Sequence, residues 1–134
     1  MDDPIRHRGG FGDLLGYELT LWQPDRAEVT LNLDQRHMNR SGVMHGGVLT
    51  TLIDTACGYT GTFTPEGETP RRAFTLSLDS HFISAARAGE TLTASARLSG
   101  GGRSIYFAVC DVLGGDGRLV GRGSAVFKYI IPRT

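Results

Sequence analysis

The chain has 134 residues and a formal net charge of zero, with 14 Lys or Arg against 14 Asp or Glu. That length suits one domain, and 40% hydrophobic with 21% charged residues excludes a disordered polymer. A neutral chain has no global basic field for nucleic acid, and no apolar run approaches the roughly 18 residues of a membrane helix.

The opening segment MDDPIRHRGG has no apolar core of the kind a secretion signal carries. Cys57 and Cys110 are too few for a disulfide framework or a metal set, and the expected compartment is the reducing cytoplasm. The 19 glycines are about twice the average share, which points to many turns or to places where backbone is closely approached.

Residues 1–13 are polar and Gly-rich and are expected to be a flexible N-terminal segment, with residues 14–134 forming a single domain. A short turn is expected over 11–15. Residues 17–23 read as a strand closed by Pro24-Asp25, a turn pair. Residues 26–33 alternate cleanly, with Ala27, Val29, Leu31 and Leu33 on one face. Residues 34–44 are polar and irregular. Residues 46–62 form the best helix: Val48, Leu49, Leu52, Ile53, Ala56, Tyr59 and Thr60 trace one buried stripe. A turn-rich loop follows at 64–71. The period then switches to two, giving strands over 72–83, 91–99, 104–113 and 118–131, the last three joined by Gly-rich hairpins. Short links make the sheet antiparallel. One helix cannot cover six flat strands, so the expected fold is α+β, a curved antiparallel sheet wrapped around one long central helix. Its open edges and uncovered face predict a dimer.

The helix carries one acid, Asp54, opposite the Val48/Leu52/Ala56 stripe. Its neighbours there are Gly47, Thr50, Thr51, Gly58 and Gly61. A solvent face would carry Lys, Glu or Arg, so small residues around a lone carboxylate suggest that another surface packs close. His45, Gly46 and Gly47 open the helix, where unpaired N–H groups and the positive dipole end suit an oxyanion. Asn39 lies six residues earlier and could orient a water or a carbonyl, although a loop Asn is commonly a turn residue. The segment Gly101, Gly102, Arg103 and Ser104 could cradle a phosphate or be a plain hairpin. The four histidines show no metal-ligand spacing, so no metal is expected.

Taken together, Asn39-x5-His45-Gly46-Gly47-x6-Asp54-Thr55-Ala56 resembles the signature of the PaaI-like acyl-CoA thioesterases of the hotdog superfamily. The stretch from Thr75 to Glu90 and the stretch from Gly117 to Gly123 resemble the same family, and the likeness runs from about Leu14 to the C-terminus. It implies a hotdog fold and an acyl-CoA substrate with no further cofactor. Asp54 would be the catalytic carboxylate and the Gly46 N–H would polarise the thioester carbonyl. Asn39 would place the attacking water or the carbonyl, His45 would support that geometry, and Thr75 would stand near the carboxylate. Asn39, His45 and Gly46 would come from one chain of a homodimer, Asp54 and Thr75 from the other, with a dimer of dimers as the larger assembly. The loop at Gly101, Gly102, Arg103 and Ser104, and Lys128, match positions that touch the CoA nucleotide. Ser84-Ala85-Ala86 departs from the family, where Pro is common.

The chemistry needs no strong nucleophile, because a thioester is already activated. A carboxylate can act as general base on water or attack directly, and backbone N–H groups can hold the oxyanion. A hotdog hydratase or dehydratase acting on an enoyl thioester fits the spacing less well. A non-catalytic acyl-CoA-binding hotdog domain is the remaining alternative.

Overall fold

A computed structural model describes residues 8–131. Two helices, α1 (Gly9–Leu15) and α2 (Gly46–Thr60), accompany six strands: β1 (Glu18–Gln23), β2 (Arg26–Asn32), β3 (Ala73–Phe82), β4 (Thr91–Gly101), β5 (Ile105–Gly114) and β6 (Leu119–Tyr129). The sheet runs β1-β2-β4-β5-β6-β3, and every neighbouring pair is antiparallel. Helix α2 lies against the inner face and meets all six strands. This is the α+β arrangement expected from the sequence.

Helix α2 forms against its own propensities. Three glycines and four threonines in fifteen residues are weak helix formers, so burial must drive it. Its buried stripe is Val48, Leu49, Leu52, Ile53, Ala56, Cys57 and Thr60. Cys57 takes the buried place expected of Tyr59, which is half-exposed and meets Trp22 edge-on at 5.6 Å. Threonine hydroxyls bond back to the helix, Thr51 to the Gly47 carbonyl at 2.8 Å and Thr60 to that of Cys57 at 2.7 Å. The Cys57 and Cys110 thiols are free and buried. Hydrogen bonding to Cys57 and burial push the Cys110 thiol well up.

The end of α2 is fastened by aromatics. The Tyr106 hydroxyl donates to the Gly58 carbonyl at 2.7 Å, and that of Tyr129 to the Gly61 carbonyl at 2.7 Å. Tyr106 stacks on Phe127 with centroids 5.0 Å apart, and burial drives its phenol pKa up. The helix ends at Thr60, two residues before the sequence suggests, as the chain turns beneath these rings.

The other expected strand limits agree within one or two residues. Residues 9–15 form a helix where a short turn is expected over 11–15, crossing the anticipated boundary at 13/14. Residue 8 joins it: Arg8 pairs with Asp13 at 2.8 Å and donates to the Tyr17 carbonyl at 2.6 Å. The rest of the expected flexible segment, 1–7, lies outside the described residues.

Gly61 has no room for a side chain: a Cβ there would stand 2.5 Å from the Tyr106 ring. Gly61→Ala is expected to cost about 1–3 kcal/mol, the range for overpacking a filled core. Urea unfolding should show a lower midpoint with an unchanged slope.

Candidate active site

The irregular segment after β2 is built around a buried histidine. Asp34 caps a 3₁₀ turn, Gln35–His37. The Asp34 N–H donates to His37 Nδ1 at 3.0 Å, which leaves Nε2–H to donate to the Leu15 carbonyl at 2.7 Å. The His37 carbonyl in turn accepts the His45 N–H at 2.8 Å. His37 is fully buried and ties α1 to the loop that carries Asn39 and His45. Sequence reasoning considered His37 only as a metal ligand and missed this support; its pairing with Asp34 at i, i+3 is the available signal.

Asn39 holds its own loop. Its Oδ1 accepts the N–H groups of Ser41 at 2.9 Å and Val43 at 3.2 Å, so the side-chain oxygen serves a turn while the amide NH2 is free of partners among the described residues. His45 is the N-cap of α2: its Nδ1 accepts the Gly47 N–H at 2.8 Å. The Gly46 N–H, next to it, has no acceptor among the described residues, as expected at a helix start. Gly46 opens on a cleft of about 250 Å3 with Met44, Leu49, Phe82, Ile83 and Val120 on its walls. A Cβ at Gly46 would stand 3.1 Å from the Phe82 ring.

Asp54 lies two turns along the same helix, on the side turned to β3. The Thr75 hydroxyl donates to its Oδ1 at 2.6 Å. Thr75 pairs with Phe127, and the register slips immediately after it, so that Ser77 pairs with Val126. This bulge at Leu76 re-aims the edge strand beside the carboxylate. Asp54 and Thr75 border a second cleft, about 360 Å3, that reaches past Gly58, Thr62 and Tyr106 to Arg71 and Arg72. Within one chain, therefore, Gly46 and Asp54 open on different clefts.

A third hollow of about 240 Å3 shares Arg71, Arg72 and Ile130 with the Asp54 cleft and adds Arg103. No carboxylate lines it. The Arg71 guanidinium stacks on Tyr129, 4.4 Å from the ring centre. Sequence reasoning found Arg103 but missed Arg71 and Arg72, where a doubled arginine closing the Thr64–Arg71 loop is the signal. The Gly102 N–H is spent on the Ile105 carbonyl at 2.8 Å, and the Ser104 carbonyl accepts the Tyr129 N–H at 2.9 Å. Gly101 is held close over Tyr106, whose Cα would be 2.8 Å from a Cβ. Lys128 pairs in register with Phe74 and Ile105 and does not line the arginine hollow.

The segment after β3 is strapped down by Arg118. Its guanidinium donates to Glu90 at 2.7 Å, to Ser84 Oγ at 3.2 Å and to the Ala85 carbonyl at 3.2 Å. The Ala86 carbonyl accepts the Met44 N–H at 2.7 Å, so this strap fixes one wall of the Gly46 cleft without proline.

The sequence profile of the Thioesterase superfamily matches residues 41–121, which spans the Asn39 loop's end, α2, Asp54 and Thr75. The chain belongs to the thioesterase superfamily. A Pseudomonas aeruginosa protein named as an esterase is 37% identical over 99 residues, 74% of this chain and 72% of that one. The mouse acyl-coenzyme A thioesterase 13 is 24% identical over 101 residues, 75% of this chain and 70% of that one. A thioesterase structure from Haemophilus influenzae superposes with a TM-score of 0.80 at 26% identity, covering 92% of this chain and 84% of that one. E. coli PaaI superposes with a TM-score of 0.79 at 22% identity, covering 92% and 86%. The hotdog fold expected from the motifs holds, and so does membership of a thioesterase family. No helix among the described residues is long and apolar enough to cross a membrane.

The Arg118 strap carries a pH signature. The Arg118 hydrogen bond, and then the Arg87 N–H, hold the Glu90 carboxyl below its usual range. A depressed native pKa contributes stability that is complete above the unfolded value, about 4.3, and is lost as pH falls through the native value. Melting temperature is expected to drop below about pH 4.3. Arg118→Ala should melt a few degrees lower at neutral pH and lose part of that acid slope.

Proposed function

We propose that this chain hydrolyses an acyl-CoA thioester to the free acid and CoA. The observation that carries the reading is the lone helix carboxylate, Asp54, held by Thr75 at the mouth of a cleft that leads to Arg71, Arg72 and Arg103. The named activity of the mouse relative agrees with it.

The two halves of the chemistry lie at different clefts of one chain, and a homodimer brings them together. Strand β3 has one free edge, and along it Leu76 and Phe82 are about half exposed or more, at 49% and 63%. Pairing through that edge sets the Gly46 end of one protomer near the Asp54 cleft of its partner. The Gly46 N–H then donates to the thioester carbonyl oxygen. Asp54 takes a proton from water as the water oxygen bonds to the carbonyl carbon; the carbon–sulfur bond breaks, and the thiolate leaves with a proton returned from the acid. Attack by the carboxylate itself, with the anhydride hydrolysed afterwards, uses the same groups. His45 keeps the helix start in place, and the free Asn39 amide faces a water or the carbonyl. Thr75 fixes one oxygen of Asp54 and leaves the other for the reaction. Arg103, with Arg71 and Arg72 as added contacts, receives CoA phosphates in the fork geometry that suits guanidinium. Lys128, Gly101, Gly102 and Ser104 stand at the margin of that contact. The chain needs no further cofactor for this and acts in the cytoplasm.

Asp54→Asn keeps the volume and removes both base and nucleophile. CoA release, followed with a thiol dye across acyl-CoAs, is expected to fall at least ~10²-fold in kcat, with the fold intact by circular dichroism. Near-normal turnover in this variant would remove Asp54 from the chemistry, and hydration without CoA release in the native protein would favour the hydratase.

Arg103→Ala removes a contact made equally in ground and transition states. It is expected to raise KM about fivefold, the worth of a contact of ~1 kcal/mol, with kcat little changed. A fall in kcat at constant KM would contradict the nucleotide assignment.

A further inference from the structure

A CoA thioester has two unlike ends, and the chain offers two unlike clefts. The Asp54 cleft runs to Arg71 and Arg72 and suits the anionic nucleotide end. The Gly46 cleft carries no charged side chain on its walls. Leu49 and Val120, at 1% and 0% exposure, form its floor, and Met44, Phe82 and Ile83 stand around it.

The polar groups along this cleft are already spent. Ser84 is its one polar side chain. The Ser84 hydroxyl donates to the Leu119 carbonyl at 2.8 Å and accepts from the Arg118 guanidinium at 3.2 Å. The N–H groups of Ile83 and Ser84 both go to the Val120 carbonyl, at 3.0 and 3.1 Å, and that of Met44 goes to the Ala86 carbonyl. The cleft therefore offers a ligand hydrocarbon, with the Gly46 N–H at its edge. An apolar group gains by leaving water for such a surface, and a charged one loses.

The cleft is also small and firmly held. Arg118 ties the Ala85 carbonyl to Glu90, which fixes the wall at one end. The Phe82 ring lies 3.1 Å from where a Gly46 Cβ would stand, which narrows the mouth. Pockets for drug-sized ligands run to about 300–1,000 Å3. At about 30 Å3 for a water-sized group, the 250 Å3 of this cleft holds roughly eight such groups.

We propose that the Gly46 cleft is the acyl subsite and takes an uncharged hydrocarbon acyl group of about eight carbons or fewer. The carbonyl oxygen meets the Gly46 N–H, the sulfur points to the Asp54 cleft of the second protomer, and the acyl carbons run over Leu49 and Val120 toward Ala85. Acyl groups that end in a carboxylate find no cation on these walls. The carbonyl's place at Gly46 rests on the thioesterase reading; the class of acyl group goes beyond it.

Calorimetric titration of the full chain with S-alkyl-CoA thioethers tests the subsite, because a thioether binds without being hydrolysed. Kd is expected to fall about fourfold per methylene, the worth of one buried CH2, up to about eight carbons and to level off beyond. A terminal carboxylate on the alkyl chain should weaken binding at least ~10-fold. Ala85 is exposed, so Ala85→Leu leaves the core intact; it should bring the plateau down by about three carbons, with binding of CoA itself unchanged. Ile83→Ala, at a half-exposed position, should weaken the octyl thioether several-fold and leave CoA unchanged. Affinity that ignores chain length, affinity that keeps rising well past the octyl chain, variants that bind as the native protein does, or no measurable binding of any thioether would each overturn the subsite. If the length series behaves as expected but the native protein releases no thiol from octanoyl-CoA, the subsite stands and the hydrolytic reading falls. If thiol release is equal from short and long acyl-CoAs, the hydrolytic reading stands and the subsite falls.

Discussion

Helix α2 can sit inside the sheet only because side chains are missing where the two touch. A Cβ on Gly58 would stand 3.3 Å from the Phe127 ring, and one on Gly121 would stand 2.6 Å from Leu49. The glycines therefore set the separation of helix and sheet, and with it the curl of the strands around the helix. That separation carries through to the far side of α2. A helix held farther from β6 would also stand farther from β3, which β6 carries as its neighbour, and the 2.6 Å bond from Thr75 to Asp54 would not form. The most glycine-rich feature of the composition and the most polar contact on the helix are thus one constraint seen from two sides.

The start and the middle of α2 do different electrostatic work. Its first turn offers unpaired N–H groups, and His45 caps one of them so that Gly46 is left facing the cleft. Two turns later Asp54 supplies the only negative charge of the helix, bonded to a single hydroxyl. A carboxylate next to its own helix N-terminus would be neutralised by the dipole that the oxyanion needs. In the proposed homodimer, separating the groups along one helix and recombining them across two chains would keep both in usable form.

The fold was largely legible because it is written in period. Strands β4 and β5 alternate faithfully, β6 does so after Val120 and Gly121, which are both buried, and the buried stripe of α2 repeats at helical spacing. Where period is absent, reading failed in understandable ways. His37 sits in an irregular segment, so nothing periodic marks it as buried; its role comes from pairing with Leu15, 22 positions away. Tyr59 lost its buried place to Cys57 because Trp22, on another element, claimed its ring. Asp54 stood out through its surroundings of Gly and Thr, and Thr75 entered through resemblance to the family, since a lone Thr in an alternating strand carries no mark of its own. Arg71 and Arg72 were hidden in a loop whose other residues read simply as a turn.

The neutral total of the chain hides where its charges go. Arg118 gathers Glu90 and Asp116, Arg122 takes Asp111, and Arg8 takes Asp13. The carboxylates are spent on straps and ladders, while Arg71, Arg72 and Arg103 share a hollow with none. Zero net charge argues soundly against a long polyanion, which needs a broad positive field. It does not argue against a small one, which needs only two or three cations with no competing acid beside them. Global charge and local charge answer different questions, and in this chain the difference between them lies beside the Asp54 cleft.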